Sequence, residues 1–303
     1  LKKPDTCVIY NPVAGRGRAG RRLESLRRTL GDRAEFQPTH SPQHAEDLAF
    51  TAAKSGFSVI GAAGGDGTVH EVANGILRSG QDDVALAVFP VGSANDYAYS
   101  LGLPPEWWLQ EGSLDQSRPV DIGLVHTSCG KVRHFVNGIG FGFNGAVTME
   151  SERIHLLQGV LLYTTALLRA LCFRFKFPRL RITMDGKIRD EPTLAFSVAI
   201  GQREGNFKLA PRAVVDDGLF DYLHVGPVAR WEVLRYAPGM ITGNLPTDHP
   251  AIQMGHCKEV SVRSDVPLPV HLDGEMLCRP DDGVREFEIK ILPLRLRIWG
   301  GRK

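Results

Sequence analysis

The sequence predicts an α/β lobe followed by an all-β lobe, and three observations carry that prediction. Strand-like and helix-like stretches alternate through about the first 125 residues, with Gly, Pro or Asn at each boundary, the rhythm of a parallel sheet with crossover helices. Beyond about Val120, short apolar stretches follow one another with only turns between them, the texture of an antiparallel β domain. A length of 303 residues, 43% of them hydrophobic, suffices for two lobes at about 150 residues per domain. The boundary is placed so that one lobe covers 1–122 and the other 123–303, with the last strand expected to pack back toward the first lobe.

In the first lobe TCVIYN (6–11) is a strand, AGRRLESLRRTL (19–30) a helix, AEFQPT (34–39) a strand, PQHAEDLAFTAAKSG (42–56) a helix and SVIGAAGG (58–65) a third strand. TVHEVANGILRSG (68–80) is a helix and ALAVFPVG (85–92) a buried strand; a short helix from Asp96 to Leu103 must end at Pro104 and Pro105. In the second lobe DIGLVHT, RHFVNGIGFG, LRITMDG, LAFSVAIGQ, LFDYLHVG, EVSVRS and REFEIKIL are strands, and HLLQGVLLYTTALLRALCF (155–173) is its one long helical stretch.

Composition narrows the function classes. The formal charge of +2, from 36 basic and 34 acidic residues, is too balanced to imply a nucleic-acid partner. Five scattered cysteines (Cys7, Cys129, Cys172, Cys257, Cys278) contain no C-x-x-C pair, so neither a zinc knuckle nor a disulfide framework is indicated and a cytoplasmic setting is expected. His40, His44, His126, His134 and His155 form no transition-metal ligand set. The opening LKKPDTCVIYNP has no apolar signal-peptide core, and no stretch reaches about eighteen uninterrupted apolar residues, so no membrane span is expected.

Three loops that follow strands carry the chemistry. NPVAGRGRAG (11–20) places Gly15, Gly17 and Gly20 in the G-x-G-x-x-G spacing of a dinucleotide fingerprint, with Glu35 about twenty residues on. That fingerprint begins directly after its strand, whereas Asn11, Pro12, Val13 and Ala14 intervene here. Arg16 and Arg18 would crowd a closely approached pyrophosphate, although they could also pair with phosphate. A dinucleotide loop, a plain glycine-rich turn and a phosphate loop of another kind stay open on this stretch alone.

GAAGGDGTVHEVANG (61–75) is more specific. A buried strand delivers Gly64 and Gly65, which have no Cβ to keep a phosphate from the backbone, Asp66 can meet metal or ribose, and Thr68 opens a helix whose positive end favours an anion. PVGSANDYA (90–98) adds the Ser93 hydroxyl, the Asn95 amide and the Asp96 carboxylate after another buried strand. Loops at the carboxyl ends of parallel strands converge on one crevice. In HLDGEML (271–277) Asp273 and Glu275 flank Gly274; in extended backbone residues i and i+2 share a face, so both carboxylates can aim one way, against the alternative of a plain solvated turn.

In order and spacing, N-P-x-A-G, G-G-D-G-T and G-S-x-N-D resemble the catalytic domain of the diacylglycerol kinase and sphingosine kinase superfamily of lipid kinases. APRAVVDDGLFDYLHV (210–225) and HLDGEML resemble that family's later blocks, so the resemblance covers nearly the whole chain. It implies a Rossmann-like, NAD kinase-like nucleotide lobe and a C-terminal antiparallel β-sandwich, with ATP in the cleft between them. Position by position, it implies that Asn11, Pro12, Ala14, Gly15, Thr39, Gly64, Gly65, Asp66, Gly67, Thr68, His70, Glu71, Ser93, Asn95 and Asp96 serve the nucleotide, with Asp66 and Asp96 anchoring its Mg²⁺ through water. Glu275 or Asp273 would be the base, Asp66 standing as the third catalytic candidate. A structural Mg²⁺ of bacterial members maps to the Asp217 side chain with the carbonyls of Val214 and Leu219. The chain departs from the pattern in having Ala14 where Ser is common and Ser93 where Thr is common, and His70-Glu71 is similar to sphingosine and ceramide kinases.

The expected activity is ATP- and Mg²⁺-dependent transfer of a γ-phosphoryl group to a lipid hydroxyl, diacylglycerol-like or sphingoid, by a cytoplasmic protein peripheral to the inner membrane face. A NAD kinase-like small-molecule kinase and a non-catalytic nucleotide-binding regulator are the alternatives, and a homodimer is left open. The segment 155–181 combines an apolar helical run with Arg169, Arg174, Lys176, Arg179 and Arg181, as either a core helix leading into a strand or an interfacial contact would. Trp107 and Trp108 are likewise either an exposed anchor or a loop packed on the sheet.

Overall fold

The computed structural model describes residues 5–154, 156, 157 and 159–300, the side chains of 16–19 excepted; the expectations for His155 and for the Arg16 and Arg18 side chains lie outside the described residues. The chain divides into two units, Leu1–Ile122 with Pro293–Lys303, and Gly123–Leu292.

In unit 1, β1 (Thr6–Tyr10), α1 (Arg18–Leu30), β2 (Ala34–Pro38), α2 (His44–Lys54), β3 (Val59–Gly64), α3 (Asp66–Ser79), β4 (Ala85–Pro90) and α4 (Asp96–Ser100) follow in sequence. The strands pair in the order β2-β1-β3-β4, all parallel, and Arg297–Trp299 near the chain's end run parallel to β4. Every residue of β3 and β4 is buried, as their unbroken apolar runs require of strands covered on both faces. The chain departs from β1 to opposite sides at β2 and β3, so the switch point of this sheet lies between β1 and β3, where α/β folds open a crevice. Trp107 and Trp108 pack rather than protrude: Trp107 stacks on Phe89 at 5.5 Å, and its Nε1–H donates to the Val88 carbonyl at 2.8 Å.

Unit 2 is a two-sheet sandwich built from the end of β5 (Ser117–Thr127), β6 (Val132–Phe135), β7 (Gly138–Gly142), α5 (Phe143–Ser151), α6 (Gly159–Phe173), β8 (Arg179–Met184), β9 (Lys187–Pro192), β10 (Ala195–Ala199), β11 (Phe220–Val225), α7 (Arg230–Thr242), β12 (Ile252–Cys257), β13 (Glu259–Ser264), β14 (Val270–Leu272), β15 (Glu275–Cys278) and the first half of β16 (Glu286–Trp299), whose end belongs to unit 1. One sheet runs β9-β8-β13-β16, with β5 beside β16 and β6 beside β5; the other runs β12-β11-β10-β7-β14-β15. Their inner faces meet through aromatic pairs, Phe141 with Phe287 at 5.2 Å and Phe135 with Phe220 at 5.7 Å.

The structure corrects two expectations. RHFVNGIGFG is two strands, β6 and β7, that belong to different sheets, because the chain crosses the sandwich at Val136–Asn137. The helix over 155–173 is not the only one in this unit: α5 precedes it, and α7 forms although Pro238 lies inside it. Glu232 secures the start of α7 by accepting the Ala229 N–H at 2.6 Å, and Gly243, with φ 90°, ends it. The bases of the 155–181 segment are largely committed to acids: Arg169 and Arg174, with Arg153, converge on the buried Glu150 at 2.9–3.3 Å, and Arg179 pairs with Asp190 at 2.6 Å. Burial alone would raise the Glu150 carboxyl, but these guanidinium groups hold it below the usual carboxylate range.

Two glycines in helices of unit 1 make opposite predictions. A Cβ on Gly20 would meet nothing within 4 Å, so Gly20→Ala should gain helix propensity and stabilise by about 0.4–1 kcal/mol. A Cβ on Gly75 would lie 2.3 Å from the Glu46 carbonyl of α2, and the overpacking cost of about 1–3 kcal/mol exceeds any propensity gain. Urea unfolding of the two variants should therefore shift the midpoint in opposite directions.

Candidate active site

The loops after β1 to β4 are knitted to one another by their backbones. The Asn11 N–H donates to the Ala63 carbonyl of β3 at 3.1 Å and the Thr39 N–H to the Tyr10 carbonyl of β1 at 2.9 Å. Asn11 Oδ1 accepts the Val13 N–H at 3.0 Å and holds the turn in which Pro12 is exposed and Ala14 half-buried, before Gly15 turns with φ 61°. The G-x-G-x-x-G spacing of this loop lacks its structural purpose. In a dinucleotide fingerprint the third glycine allows close helix–strand packing, whereas Gly20 faces open space.

The loops after β3 and β4 touch directly. Gly92 N–H donates to the Gly64 carbonyl at 2.9 Å, and a Cβ on Gly92 would lie 2.4 Å from Gly65 Cα, so this approach needs a glycine at 92. Gly64 is needed for another neighbour: its Cβ would stand 2.2 Å from Thr68 Oγ1. Asp66, the first residue of α3, accepts the Tyr97 N–H of α4 at 3.0 Å through Oδ1, which brings its carboxylate to the helix that begins with the buried Asp96. Gly67 and Thr68 lie in the first turn of α3, where backbone N–H groups have no intrahelical acceptor, and Ser93 is exposed beside them in the next loop.

Three side chains expected at the nucleotide have partners within the unit. His70 is 5% exposed, buried on α3 with Nε2 3.4 Å from Asn74 Nδ2, which also donates to the His70 carbonyl. Glu71 accepts the Gln43 N–H at 2.9 Å and the Ala45 N–H at 3.0 Å, satisfying the exposed start of α2 with a favourable charge. Asn95 folds back on its own loop, Oδ1 accepting the Gly92 N–H and Nδ2 donating to the Gly92 carbonyl, with φ 54°.

In unit 2 the D-G-E segment is a two-residue hairpin. Leu272 pairs with Glu275, and Asp273 and Gly274 take φ 50° and 89°, the signature of a type I′ turn. The shared-face argument for the two carboxylates fails because it requires extended backbone. Asp273 is 5% exposed, and its oxygens accept the N–H groups of Val136, Asn137 and Gly138 at 3.0, 2.8 and 2.9 Å. Glu275 is exposed at the start of β15. Elsewhere in the unit, Asp217 is exposed and its Oδ1 accepts the Leu219 N–H at 3.0 Å, with Val214 exposed nearby in the same loop. Burial pushes the neighbouring Asp221 carboxyl up; His256 at 3.5 Å opposes this, and the Asp217 charge adds to it.

Also in unit 2, and unseen in the sequence, is an apolar cavity of about 90 Å³. Tyr163 and Leu167 of α6, Leu223 of β11, and Val233 and Met240 of α7 line it, and Glu204 is the one charged side chain among its described lining residues. Glu204 Oε1 lies 2.7 Å from Nε2 of the buried His271 on β14, though without hydrogen-bond alignment. A Cβ on Gly274 would stand 3.9 Å from the Tyr163 hydroxyl, so the cavity wall reaches the hairpin turn that carries Glu275.

Together these features define a glycine-loop α/β unit covalently joined to a β-sandwich unit. Residues 5–125 match the diacylglycerol kinase catalytic domain, and residues 137–299 match the YegS C-terminal NAD kinase beta sandwich-like domain. The chain is 30% identical to a diacylglycerol kinase of Bacillus subtilis over 281 residues, 88% of each chain. It is 34% identical to a protein named lipid kinase YegS-like of Pseudomonas aeruginosa, covering 96% of this chain and 92% of that one. A crystal structure titled as a diacylglycerol kinase from Bacillus anthracis superposes with a TM-score of 0.72 at 21% identity, over 99% of this chain and 98% of that one. The chain belongs to the diacylglycerol kinase-type lipid kinase family, and is a kinase.

The amide contacts predict a stability role for Asp273. Asp273→Asn keeps a residue suited to positive φ but turns an amide donor toward backbone donors, and each buried N–H left unmatched costs about 1–3 kcal/mol. Its urea midpoint should fall clearly, whereas Glu275→Gln, at an exposed position, should unfold like the wild type.

Proposed function

We propose that this kinase transfers the γ-phosphoryl group of ATP, with Mg²⁺, to the hydroxyl of a long-chain lipid alcohol such as a diacylglycerol. The observation that carries the acceptor is the apolar cavity whose Tyr163 wall adjoins the Glu275 turn. Its apolar lining suits a fatty chain, while a NAD kinase acceptor would require polar groups for its second nucleotide. An apolar site also has no use in a purely nucleotide-binding regulator.

The donor side of the reading rests on unit 1. Phosphoryl transfer asks the protein for positioning and charge stabilisation. Gly64, Gly65, Gly67 and Thr68 would receive phosphate oxygens at the start of α3, with Asn11, Pro12, Ala14, Gly15, Thr39 and Ser93 as the surrounding wall. His70, Glu71 and Asn95 would act at one remove, by holding α2, α3 and the 92–95 loop in place. Asp66 and Asp96 are hard oxygen donors joined by the Asp66–Tyr97 bond, a set that fits Mg²⁺. Bound there, the ion would neutralise charge on the transferring phosphate. A second Mg²⁺ would be held by Asp217 with the Val214 and Leu219 carbonyls, where it would serve stability.

Glu275 is the proposed base, since it is exposed at the turn whereas the Asp273 carboxylate is occupied by three amides. It would orient the lipid hydroxyl and take its proton as the oxygen attacks phosphorus. Asp273 is then a positioning residue.

Glu275→Gln should lower kcat by about 10²–10⁴ and leave ATP affinity within about twofold, measured by turnover at saturating lipid and by calorimetric titration. Asp66→Asn should remain folded yet lose most transfer activity, with a raised Mg²⁺ requirement. Near-normal turnover in Glu275→Gln would remove Glu275 from the mechanism.

A further inference from the structure

Helix α7 carries apolar side chains on two opposite sides. Its inner side, with Val233, Tyr236 and Met240, lines the cavity. On its outer side Trp231 is 59% exposed, Leu234 46% and Ile241 39%, with Pro238 exposed between them. At 100° per residue these four positions fall within an arc of about 80°. A helix that is apolar on both sides is normally buried, yet nothing among the described residues covers this stripe.

The charges beside the stripe identify its partner. Arg230 and Arg235 are exposed and flank it on either side, and the helix's one acid, Glu232, is turned away into bonds with the Ala229 N–H and with His249 Nε2 at 3.1 Å. Arg230 also lies over the Phe175 ring at 5.3 Å, and Phe175 packs on the partly exposed Phe177, which extends the apolar surface. A tryptophan, aliphatic side chains and flanking arginines are the composition of an interfacial helix. The bases of the 155–181 segment are less suited, since Arg169, Arg174 and Arg179 already meet carboxylates.

We propose that the outer face of α7 docks on an anionic lipid bilayer, with Trp231, Leu234, Pro238 and Ile241 among the acyl chains and Arg230 and Arg235 at the headgroup phosphates. The helix that roofs the cavity is then the one that meets the membrane, and a lipid alcohol would reach the cavity past its edge. The lipid route rests on the cavity being the acceptor site; the docking itself does not.

Trp231 supplies its own probe, because Trp107 and Trp108 are buried and Trp299 is partly so. With phosphatidylglycerol/phosphatidylcholine vesicles the wild-type emission should shift to the blue and be quenched by brominated acyl chains. Trp231→Phe should still sediment with the vesicles but lose that signal. Leu234→Glu/Ile241→Glu, and separately Arg230→Glu/Arg235→Glu, should weaken vesicle binding by about tenfold or more while circular dichroism and the melting temperature stay unchanged. Vesicle binding with the Trp231 signal unmoved would overturn the proposal in favour of another face, and so would a failure of the wild type to bind anionic vesicles. If the Leu234→Glu/Ile241→Glu variant instead loses a dimer seen by sedimentation and keeps its vesicle binding, a second copy covers the stripe and the proposal is wrong. Docking through α7 without any lipid phosphorylation would uphold this inference and sink the kinase substrate reading alone.

Discussion

Three backbone amides converge on one carboxylate, and the second unit is arranged around that contact. The chain leaves the ladder of one sheet at Phe135 and joins the other at Gly138, and between them the N–H groups of Val136 and Asn137 need acceptors that no strand provides. Asp273 supplies them from a turn that positive φ at two successive residues makes tight. The same turn sets the first residue of β15, so a structural requirement of the sandwich fixes the place of Glu275. The D-G-E run thus divides its labour: the first residue ties the fold, the second permits the turn, and the third stands exposed at the start of β15.

Unit 1 follows a similar economy. The three glycine-bearing loops come from strands on either side of the switch point, and their glycines serve the loops' own contacts as much as any ligand. Gly92 against Gly65, and Asp66 against the Tyr97 amide, tie the two loops into one rim. Preorganisation of that kind is what phosphoryl transfer requires, since donors and charges must already be in position when the charge moves.

Much of this was legible in the sequence, for reasons that can be named. The buried strands and amphipathic helices of unit 1 announce themselves by local periodicity, and G-G-D-G-T stands where a strand must turn into a helix. What escaped was decided at long range. RHFVNGIGFG carries a local break signal in Asn137-Gly138, but that its halves join different sheets depends on a carboxylate more than 130 residues away. KIRDEP, which forms β9, is an edge strand with a charged pattern, and P-G inside α7 reads as a breaker although Glu232 and Gly243 cap the helix around it. His70, Glu71 and Asn95 sit in the right motifs, yet the packing of α2 on α3 and the closure of the 92–95 loop, both tertiary facts, give their polar atoms other partners. The cavity had no local signal, since its walls come from three helices and several strands far apart in the chain.

The central claim is that a nucleotide-loop unit and an apolar-cavity unit together phosphorylate a lipid alcohol. Incubating the wild-type protein with ATP labelled at the γ-phosphate, a panel of lipid alcohols in mixed micelles and NAD⁺ as a competing acceptor, with and without Mg²⁺, tests it most directly. The account predicts label in the organic phase that depends on Mg²⁺ and on a lipid hydroxyl, and none on NAD⁺. Label confined to the aqueous phase, as NADP⁺ or as free phosphate whatever lipid is present, would contradict it.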